Sequence, residues 1–184
     1  MSGGGLWLDG IERRPSPHFG PRPPGTRIDL IVVHSISLPP GVFGGSQIED
    51  LFLGRLDWDA HPYFQTIRGM EVSAHFLVRR DGQVLQFVAC DQRAWHAGRS
   101  SWAGRDNCND YAIGIELEGL EGGHFEPAQY EALATLCERL ARRCPIRQVV
   151  GHEHVSPGRK QDPGPGFDWA GLQQRLGWPA TCFP

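Results

Sequence analysis

The chain has 184 residues and a formal net charge of −3, with 18 Lys and Arg residues against 21 Asp and Glu residues. This length fits one domain that builds its core without disulfide or metal support. The balance of charge lacks the basic excess that binding to a phosphate backbone requires, so nucleic acid is not an expected partner. Five cysteines without a C-x-x-C pair do not resemble a secreted disulfide framework.

The first 26 residues are rich in Gly and Pro and predict an extended arm over the surface. They contain no apolar run as long as a signal peptide needs, and no stretch of the chain approaches a transmembrane span. We therefore expect a cytoplasmic, reducing setting and no membrane partner. The predicted division is an N-terminal arm (1–26), one folded domain (27–178) and a C-terminal tail (179–184).

The first half of the folded domain predicts a strand, a helix and a hairpin. "IDLIVVHS" (28–35) is a short β-branched apolar run that fits a buried strand with His34 near its C-terminal end. "QIEDLFLGRL" (47–56) has apolar residues at helical spacing. "SAHFLVRRDGQVLQFV" (73–88) alternates on both sides of Asp81-Gly82, a dipeptide favoured in type I′ hairpin turns.

The second half predicts two further strands and two helices. "YAIGIELEG" (111–119) alternates between apolar residues and a face with two carboxylates, and "IRQVV" (146–150) is a short apolar run. Helices are predicted over 126–144 and from an N-cap at Asp168 to Gly177. This order predicts an α/β fold of one domain, with a central mixed β-sheet flanked by helices.

Two apolar strands, "LIVVH" and "QVVGH", end in His34 and His152. Ligands bind at the C-terminal ends of strands in such sheets, and Asp162 follows in a Pro/Gly-rich loop. Two histidines and a carboxylate are ligands of catalytic zinc sites, which keep a fourth position open. His154 competes with His152, because H-x-H in an extended segment places both rings on one side. Similarly, periodicity does not separate Glu116 from Glu118 as a candidate general base.

Six segments carry a resemblance to a known family over about residues 7 to 178. They are "IVVHSISLPPGVFGG", "AHPYF", "SAHFLVRRDGQVLQFV", "RAWHAG", "NDYAIGIELEG" and "GHEHVSPGRKQDPGPGFDW". In these segments the chain resembles the zinc-dependent N-acetylmuramoyl-L-alanine amidases, and among them the cytoplasmic 1,6-anhydro type of peptidoglycan recycling. The resemblance implies the amidase fold shared with the peptidoglycan recognition proteins.

The resemblance also implies a site and a reaction. One zinc ion would be held by His34, His152 and Asp162, which favours His152 over His154. Glu116 would act as general base and acid, and Lys160 would stabilise the oxyanion. The implied reaction is attack of a zinc-activated water on the amide between the lactyl group of 1,6-anhydro-N-acetylmuramic acid and L-alanine. The implied partner is a small muropeptide, the expected state is a monomer, and the implied wider role includes control of β-lactamase induction.

Substrate contacts are expected from three groups of side chains. Aromatic residues can wall the sugar, arginines can pair with carboxylates of the stem peptide, and a hydroxyl beside a proposed ligand can bind the substrate. These residues are Tyr63, Trp95 and Trp102, then Arg79, Arg105 and Arg159, and finally Ser35. We expect His75 and His96 to be structural or to support the site.

Two other functions stay open at this point. The same chemistry can act on intact peptidoglycan outside the cell. Alternatively, the chain can be a recognition protein that binds peptidoglycan without cutting it, although such proteins usually lack a zinc ligand and here all three ligand positions are filled.

Overall fold

The computed structural model describes residues 5–184, which form ten β-strands and five α-helices. The strands are β1 (Glu12–Arg13), β2 (Phe19–Pro21), β3 (Leu30–Ile36), β4 (Phe76–Val78), β5 (Val84–Gln86), β6 (Gln92–Ala94), β7 (Ser101–Trp102), β8 (Arg105–Asp106), β9 (Ala112–Glu118) and β10 (Gln148–Gly151). The helices are α1 (Gln47–Phe52), α2 (Pro62–Thr66), α3 (Pro127–Ala141), α4 (His152–Val155) and α5 (Trp169–Leu176).

A six-stranded mixed sheet in the order β1-β5-β4-β9-β3-β10 forms the centre of the fold. Strands β4, β9, β3 and β10 run parallel, β5 is antiparallel to β4, and β1 is parallel to β5. Helices α3 and α5 cover one face, while α1, α2 and the segment between β5 and β9 cover the other. The central strands are therefore buried on both faces, which explains their continuous apolar sequences. The predicted α/β class is confirmed.

Local sequence signals explain where the predicted helices begin and end. The Asp168 carboxylate accepts a hydrogen bond from the Gly171 N–H at 2.8 Å, and Gly177 ends α5 with a φ of +63°. Both predicted ends of that helix are confirmed. Helix α1 ends at Phe52, four residues earlier than predicted, since Gly54 adopts a left-handed conformation with a φ of +67°.

The predicted hairpin is confirmed, but its type I′ turn is wrong. The Arg79 N–H donates to the Gln83 carbonyl at 2.8 Å, so three residues (80–82) form the loop. Gly82 is left-handed with a φ of +87°, whereas Asp81 is not among the residues with positive φ. A type I′ turn needs positive φ at both central positions, and Asp81 instead accepts a hydrogen bond from the Gln83 N–H.

The N-terminal residues take part in the sheets rather than only lying over them. Strand β1 pairs with β5 at the edge of the central sheet, and β2 pairs with β6. Directly after β2 in the chain, the half-buried Arg22 guanidinium donates to main-chain carbonyls of Cys90, Asn109, Asp110 and Ala112. Burial lowers the pKa of Arg22 to about 10. The domain boundaries at 26 and 178 stay a prediction.

Among residues 5–184, no helix combines the length and the apolar character that crossing a bilayer requires.

Gln129 joins α3 to the central sheet at a fully buried position. Its amide nitrogen donates to the Val78 carbonyl at 3.2 Å and to the Glu118 carbonyl at 3.0 Å. Its amide oxygen accepts from the Glu126 N–H at 3.0 Å, at the first turn of the helix. One side chain therefore satisfies backbone groups at the ends of β4, β9 and the start of α3.

Replacing Gln129 with Leu should lower the free energy of unfolding by about 2 to 4 kcal/mol, because two buried carbonyls and one N–H lose their partner. Chemical denaturation measures this change, with the exposed Gln174→Leu on α5 as the matched control. Equal stability of the two variants would contradict the role of Gln129 in joining α3 to the central sheet.

Candidate active site

The parallel register of three strands brings the candidate residues to one edge of the sheet. His34 on β3 lies opposite Glu116 on β9, and Val33 lies opposite Gly151, the last residue of β10. His152 follows Gly151 directly and therefore lies beside His34. Asp162 reaches the same point from the loop after α4, where its carbonyl accepts from the Glu153 N–H at 2.9 Å.

His34, His152 and Asp162 form one buried cluster. Each offers a ligand atom, and these atoms lie within 4.8 Å of one another. The two Nδ1 atoms are 2.9 Å apart, and Asp162 Oδ2 lies 3.3 Å from His34 Nδ1 and 3.2 Å from His152 Nδ1. Within residues 5–184 this is the single group of three such residues that can hold a metal ion.

The outward-facing nitrogens of both histidines have their own partners. His152 Nε2 lies 3.1 Å from the Ala97 carbonyl, which only accepts, so this nitrogen carries the ring proton. His34 Nε2 lies 2.9 Å from His96 Nδ1. Both rings can therefore present an unprotonated Nδ1 to a cation, in the arrangement typical of zinc-binding histidines. Two imidazoles and a carboxylate fit zinc and leave a fourth position for water or substrate.

The protonation of the cluster favours binding of a cation. Burial raises the pKa of Asp162, but hydrogen bonds with His152 and His34 outweigh this effect and hold the pKa well below its usual range. Burial and the neighbouring His152 lower the pKa of His34 to about 4. At neutral pH the cluster therefore combines an anionic carboxylate with a neutral His34 ring, both competent ligands.

Glu116 and Glu118 have different surroundings, which sequence periodicity does not reveal. Glu116 Oε1 lies 4.0 Å from His34 Nδ1, and its buried Oε2 has no hydrogen-bond partner within residues 5–184. Burial, reinforced by the charge of Asp162, raises the pKa of Glu116 well above its ordinary value. Glu118 instead accepts hydrogen bonds from Arg79 at 2.9 Å and from the Gly44 N–H at 2.7 Å. Only Glu116 has a carboxylate oxygen free at the cluster.

Lys160 lies exposed at the mouth of the cleft that contains the cluster. It is the single lysine of the chain, since 17 of the 18 basic residues of the Lys and Arg types are arginines. The one lysine side chain of the protein therefore lines the same cleft as His34 and Glu116.

His154 lies apart from the cluster of His34, His152 and Asp162. His152–Val155 is one turn of α-helix, not the extended segment that places H-x-H rings on one side, so that expectation is wrong. In a helix, positions two apart point in nearly opposite directions. His154 Nδ1 accepts from the Gly151 N–H at 2.9 Å, and its ring packs edge-on against Trp169.

The cluster lies at the base of a cleft of about 570 Å³. Tyr63 and Trp95 line this cleft, as does Ser35, whose buried hydroxyl has no hydrogen-bond partner within the described part of the chain. The exposed side chains of Met70 and Leu120 lie at its rim. The cleft combines aromatic walls with a few polar groups, as small-molecule sites do.

Four residues expected to contact a substrate do not line this cleft and have other partners in the structure, so their contact with substrate stays a prediction. Arg79 is held by Glu49, Glu118 and the Gly45 carbonyl. Arg105 pairs with Asp29 and Trp102 donates to Gln148, both at the opposite ends of β3 and β10 from the cluster. The remaining residue, Arg159, donates to the carbonyls of Ala97 and Arg99. Local sequence does not show these long-range partners.

Comparison with known proteins agrees with this geometry. The family model described as N-acetylmuramoyl-L-alanine amidase matches residues 24–165. This chain belongs to that amidase family. A curated relative, the 1,6-anhydro-N-acetylmuramyl-L-alanine amidase AmpD of Citrobacter freundii, is 52% identical over 166 residues, which cover 89% of each chain.

Solved structures extend the comparison to the fold. The crystal structure of a selenomethionine derivative of AmpD superimposes on this amidase with a TM-score of 0.90 and 50% identity, covering 92% of this chain and 96% of that one. A complex of the Escherichia coli amidase AmiD with anhydro-N-acetylmuramic acid-L-Ala-D-γ-Glu-L-Lys gives a TM-score of 0.59 and 31% identity, covering 84% and 60%. The fold predicted from the resemblance is confirmed.

The buried histidines predict how stability depends on pH. Burial and the charge of Arg22 lower the pKa of His75 to about 3 in the folded protein, against about 6.5 in an unfolded chain. Below pH 6.5 the unfolded chain binds a proton there that the folded protein does not, so stability is complete above pH 6.5 and falls towards pH 3.

His75→Asn should therefore reduce the slope of stability against pH between 6.5 and 4 by about 1.4 kcal/mol per pH unit. Urea denaturation of chelator-treated protein at several pH values measures this slope. The surface replacement His124→Asn is the matched control, and an unchanged slope in His75→Asn would contradict the prediction.

Proposed function

We propose that this amidase is a zinc hydrolase that cleaves the amide between the lactyl group of 1,6-anhydro-N-acetylmuramic acid and L-alanine in soluble muropeptides. We further propose that it works in cytoplasmic peptidoglycan recycling as a monomer. The observation that carries the proposal is the cluster of His34, His152 and Asp162 beside the free carboxylate oxygen of Glu116. Relatives at about 50% identity, all AmpD enzymes, support the choice of substrate.

Amide hydrolysis requires an activated water, stabilisation of a tetrahedral oxyanion and a proton for the departing amine. Zinc, when bound by His34, His152 and Asp162, supplies a Lewis acid that brings the pKa of water to about 7. The remaining requirements fall to side chains of the cleft.

Glu116 is the proposed carrier of the proton. Its unpartnered Oε2 takes a proton from the attacking water as the oxygen bonds to the lactyl carbonyl carbon. As the carbon–nitrogen bond breaks, the same oxygen passes this proton to the nitrogen of L-alanine. A carboxylate whose pKa burial raises is a stronger base than an exposed one, which suits both steps.

Lys160 is the residue that we propose to stabilise the negative charge that develops on the carbonyl oxygen. Among residues 5–184, it is the one lysine side chain, and it lines the cleft. A flexible point charge can follow the oxygen as it becomes tetrahedral, whereas the planar fork of arginine favours two parallel hydrogen bonds to a carboxylate.

The cleft supports a substrate of muropeptide size. Its volume of about 570 Å³ lies within the usual range for small-molecule sites. We propose that Tyr63 and Trp95 contact the sugar and that the Ser35 hydroxyl binds a polar group of the lactyl-peptide backbone. The AmiD complex shows that a relative of this fold binds an anhydromuramyl peptide.

The proposed reaction and metal are tested together by mass spectrometry. Chelator-stripped protein is incubated with 1,6-anhydro-N-acetylmuramyl-tripeptide, with and without one equivalent of zinc. Release of tripeptide and anhydro sugar only with zinc supports the proposal, and a parallel incubation with purified sacculi tests the extracellular alternative. Binding of the muropeptide without any product in zinc would instead favour a recognition protein.

Glu116→Gln should reduce kcat by at least about 100-fold, because the amide cannot accept the proton of water. Zinc binding should persist, since the three proposed ligands are unchanged. The surface replacement Glu131→Gln on α3 is the matched control. Full activity of Glu116→Gln would overturn the proposed proton transfer.

The single lysine permits a test by chemical modification. Acylation of Lys160 removes its charge and should reduce kcat by about 10- to 1,000-fold, whereas reductive dimethylation keeps the charge and should retain most activity. A Lys160→Met variant treated with the same reagents controls for modification of the N-terminus. Equal activity after both reactions would exclude a role for the charge.

A further inference from the structure

We propose that the His96–Ala97 segment orients both histidine ligands of the metal centre and that Asn109 fixes this segment in place. This inference rests on the metal assignment of the proposed function and extends it to residues outside the proposed ligand set. The segment contacts His34 through the ring of His96, and it contacts His152 through the main-chain carbonyl of Ala97.

The contact with His34 determines which of its nitrogens is free. His34 Nε2 lies 2.9 Å from His96 Nδ1. For His34 to offer Nδ1 as a ligand, its ring proton must be on Nε2, so Nε2 donates to His96 Nδ1. His96 then carries its own proton on Nε2, a buried atom that has no partner within residues 5–184. The hydrogen bond between His34 and His96 therefore sets the tautomer of both rings.

The contact between His152 and Ala97 likewise determines which nitrogen of His152 is free to bind a metal. His152 Nε2 donates to the Ala97 carbonyl at 3.1 Å, which leaves Nδ1 free. The Arg159 guanidinium donates to the same carbonyl at 2.6 Å and to the Arg99 carbonyl at 3.1 Å. Arg159 therefore supports the acceptor of His152. Its 3.4 Å approach to His152 Nε2 is not a hydrogen bond, because both groups are donors.

One amide oxygen holds the segment itself. Asn109 Oδ1 accepts hydrogen bonds from the N–H groups of His96 at 3.1 Å and Ala97 at 2.8 Å. Asn109 is 5% exposed and lies in a 3₁₀ turn, Cys108–Asp110, one residue before the start of β9. The element that carries Glu116 is therefore linked to the support of both histidines.

The sheet provides space for the His96 ring. A Cβ atom at Gly114 would lie 2.4 Å from His96 Cγ, so a side chain on this residue of β9 would displace the ring. The His96 ring also meets His34 edge-on, with ring centroids 5.0 Å apart. The position of the ring is therefore set by packing on two sides as well as by its hydrogen bond.

Mutation of a residue that hydrogen-bonds to a metal ligand typically weakens metal affinity 10- to 100-fold. Asn109→Leu removes the acceptor of both N–H groups, whereas Asn109→Asp keeps an oxygen in the same place. His96→Phe removes the nitrogen that accepts from His34, whereas His96→Asn keeps a short side-chain acceptor. The surface replacement His124→Phe is the matched control for the loss of an imidazole.

The test measures zinc affinity of the full chain by competition with a chromophoric chelator. Asn109→Leu and His96→Phe should weaken zinc binding by about 10- to 100-fold, and Asn109→Asp and His96→Asn should recover most of the loss. Long-range proton–nitrogen NMR of the zinc-loaded protein should show the His34 ring proton on Nε2. In His96→Phe this proton should exchange rapidly with solvent.

The outcomes separate the inference from the proposed function. If the wild type binds one equivalent of zinc and cleaves substrate, while both variants bind zinc within about twofold of it, the inference is overturned and the function stands. If the wild type cleaves without zinc, the metal assignment itself fails. Should Asn109→Leu not fold, the affinity and NMR results for His96→Phe decide the matter.

Discussion

The in-register parallel pairing of β3 with β9 and β10 is the constraint on which the rest of the site depends. It places His34 opposite Glu116 and leaves His152 one step beyond the end of β10. A shift of one residue in either pairing would turn one of these side chains to the other face of the sheet. The apolar residues on both faces resist such a shift, because each strand is buried between two layers of helices and loops.

The three charged residues of the site, Asp162, Glu116 and Lys160, have different surroundings, and these surroundings determine what each can do. Asp162 is surrounded by two imidazoles and keeps its negative charge, which a bound divalent cation would balance. Glu116 lacks such partners, so burial makes it a stronger base. Lys160 lies exposed to solvent at the mouth of the cleft.

Sequence predicted the parts of the structure that depend on local patterns. The apolar run before His34 forms β3, and Asp168 and Gly177 cap α5, because burial and capping leave local signals. The turn at Asp81-Gly82 was mistaken because its three-residue loop depends on strand pairing. The four-residue helix that begins at His152 is too short to show a period, so the position of His154 was open until the structure was known.

Long-range partners explain the remaining differences. Arg79 belongs to an ion pair with Glu118, 39 residues away, and so does not line the cleft. The role of Ala97 depends on a backbone carbonyl, which carries no signal in the sequence. The choice of Glu116 as the proposed general base likewise depended on the family resemblance, since alternation along a strand does not distinguish Glu116 from Glu118.

Anomalous X-ray diffraction at the zinc edge from crystals of the zinc-loaded protein tests the central claim most directly. The account predicts one strong peak at bonding distance, about 2.0 to 2.2 Å, from a nitrogen each of His34 and His152 and from an oxygen of Asp162. A peak at His154, or no peak at this cluster, would contradict it.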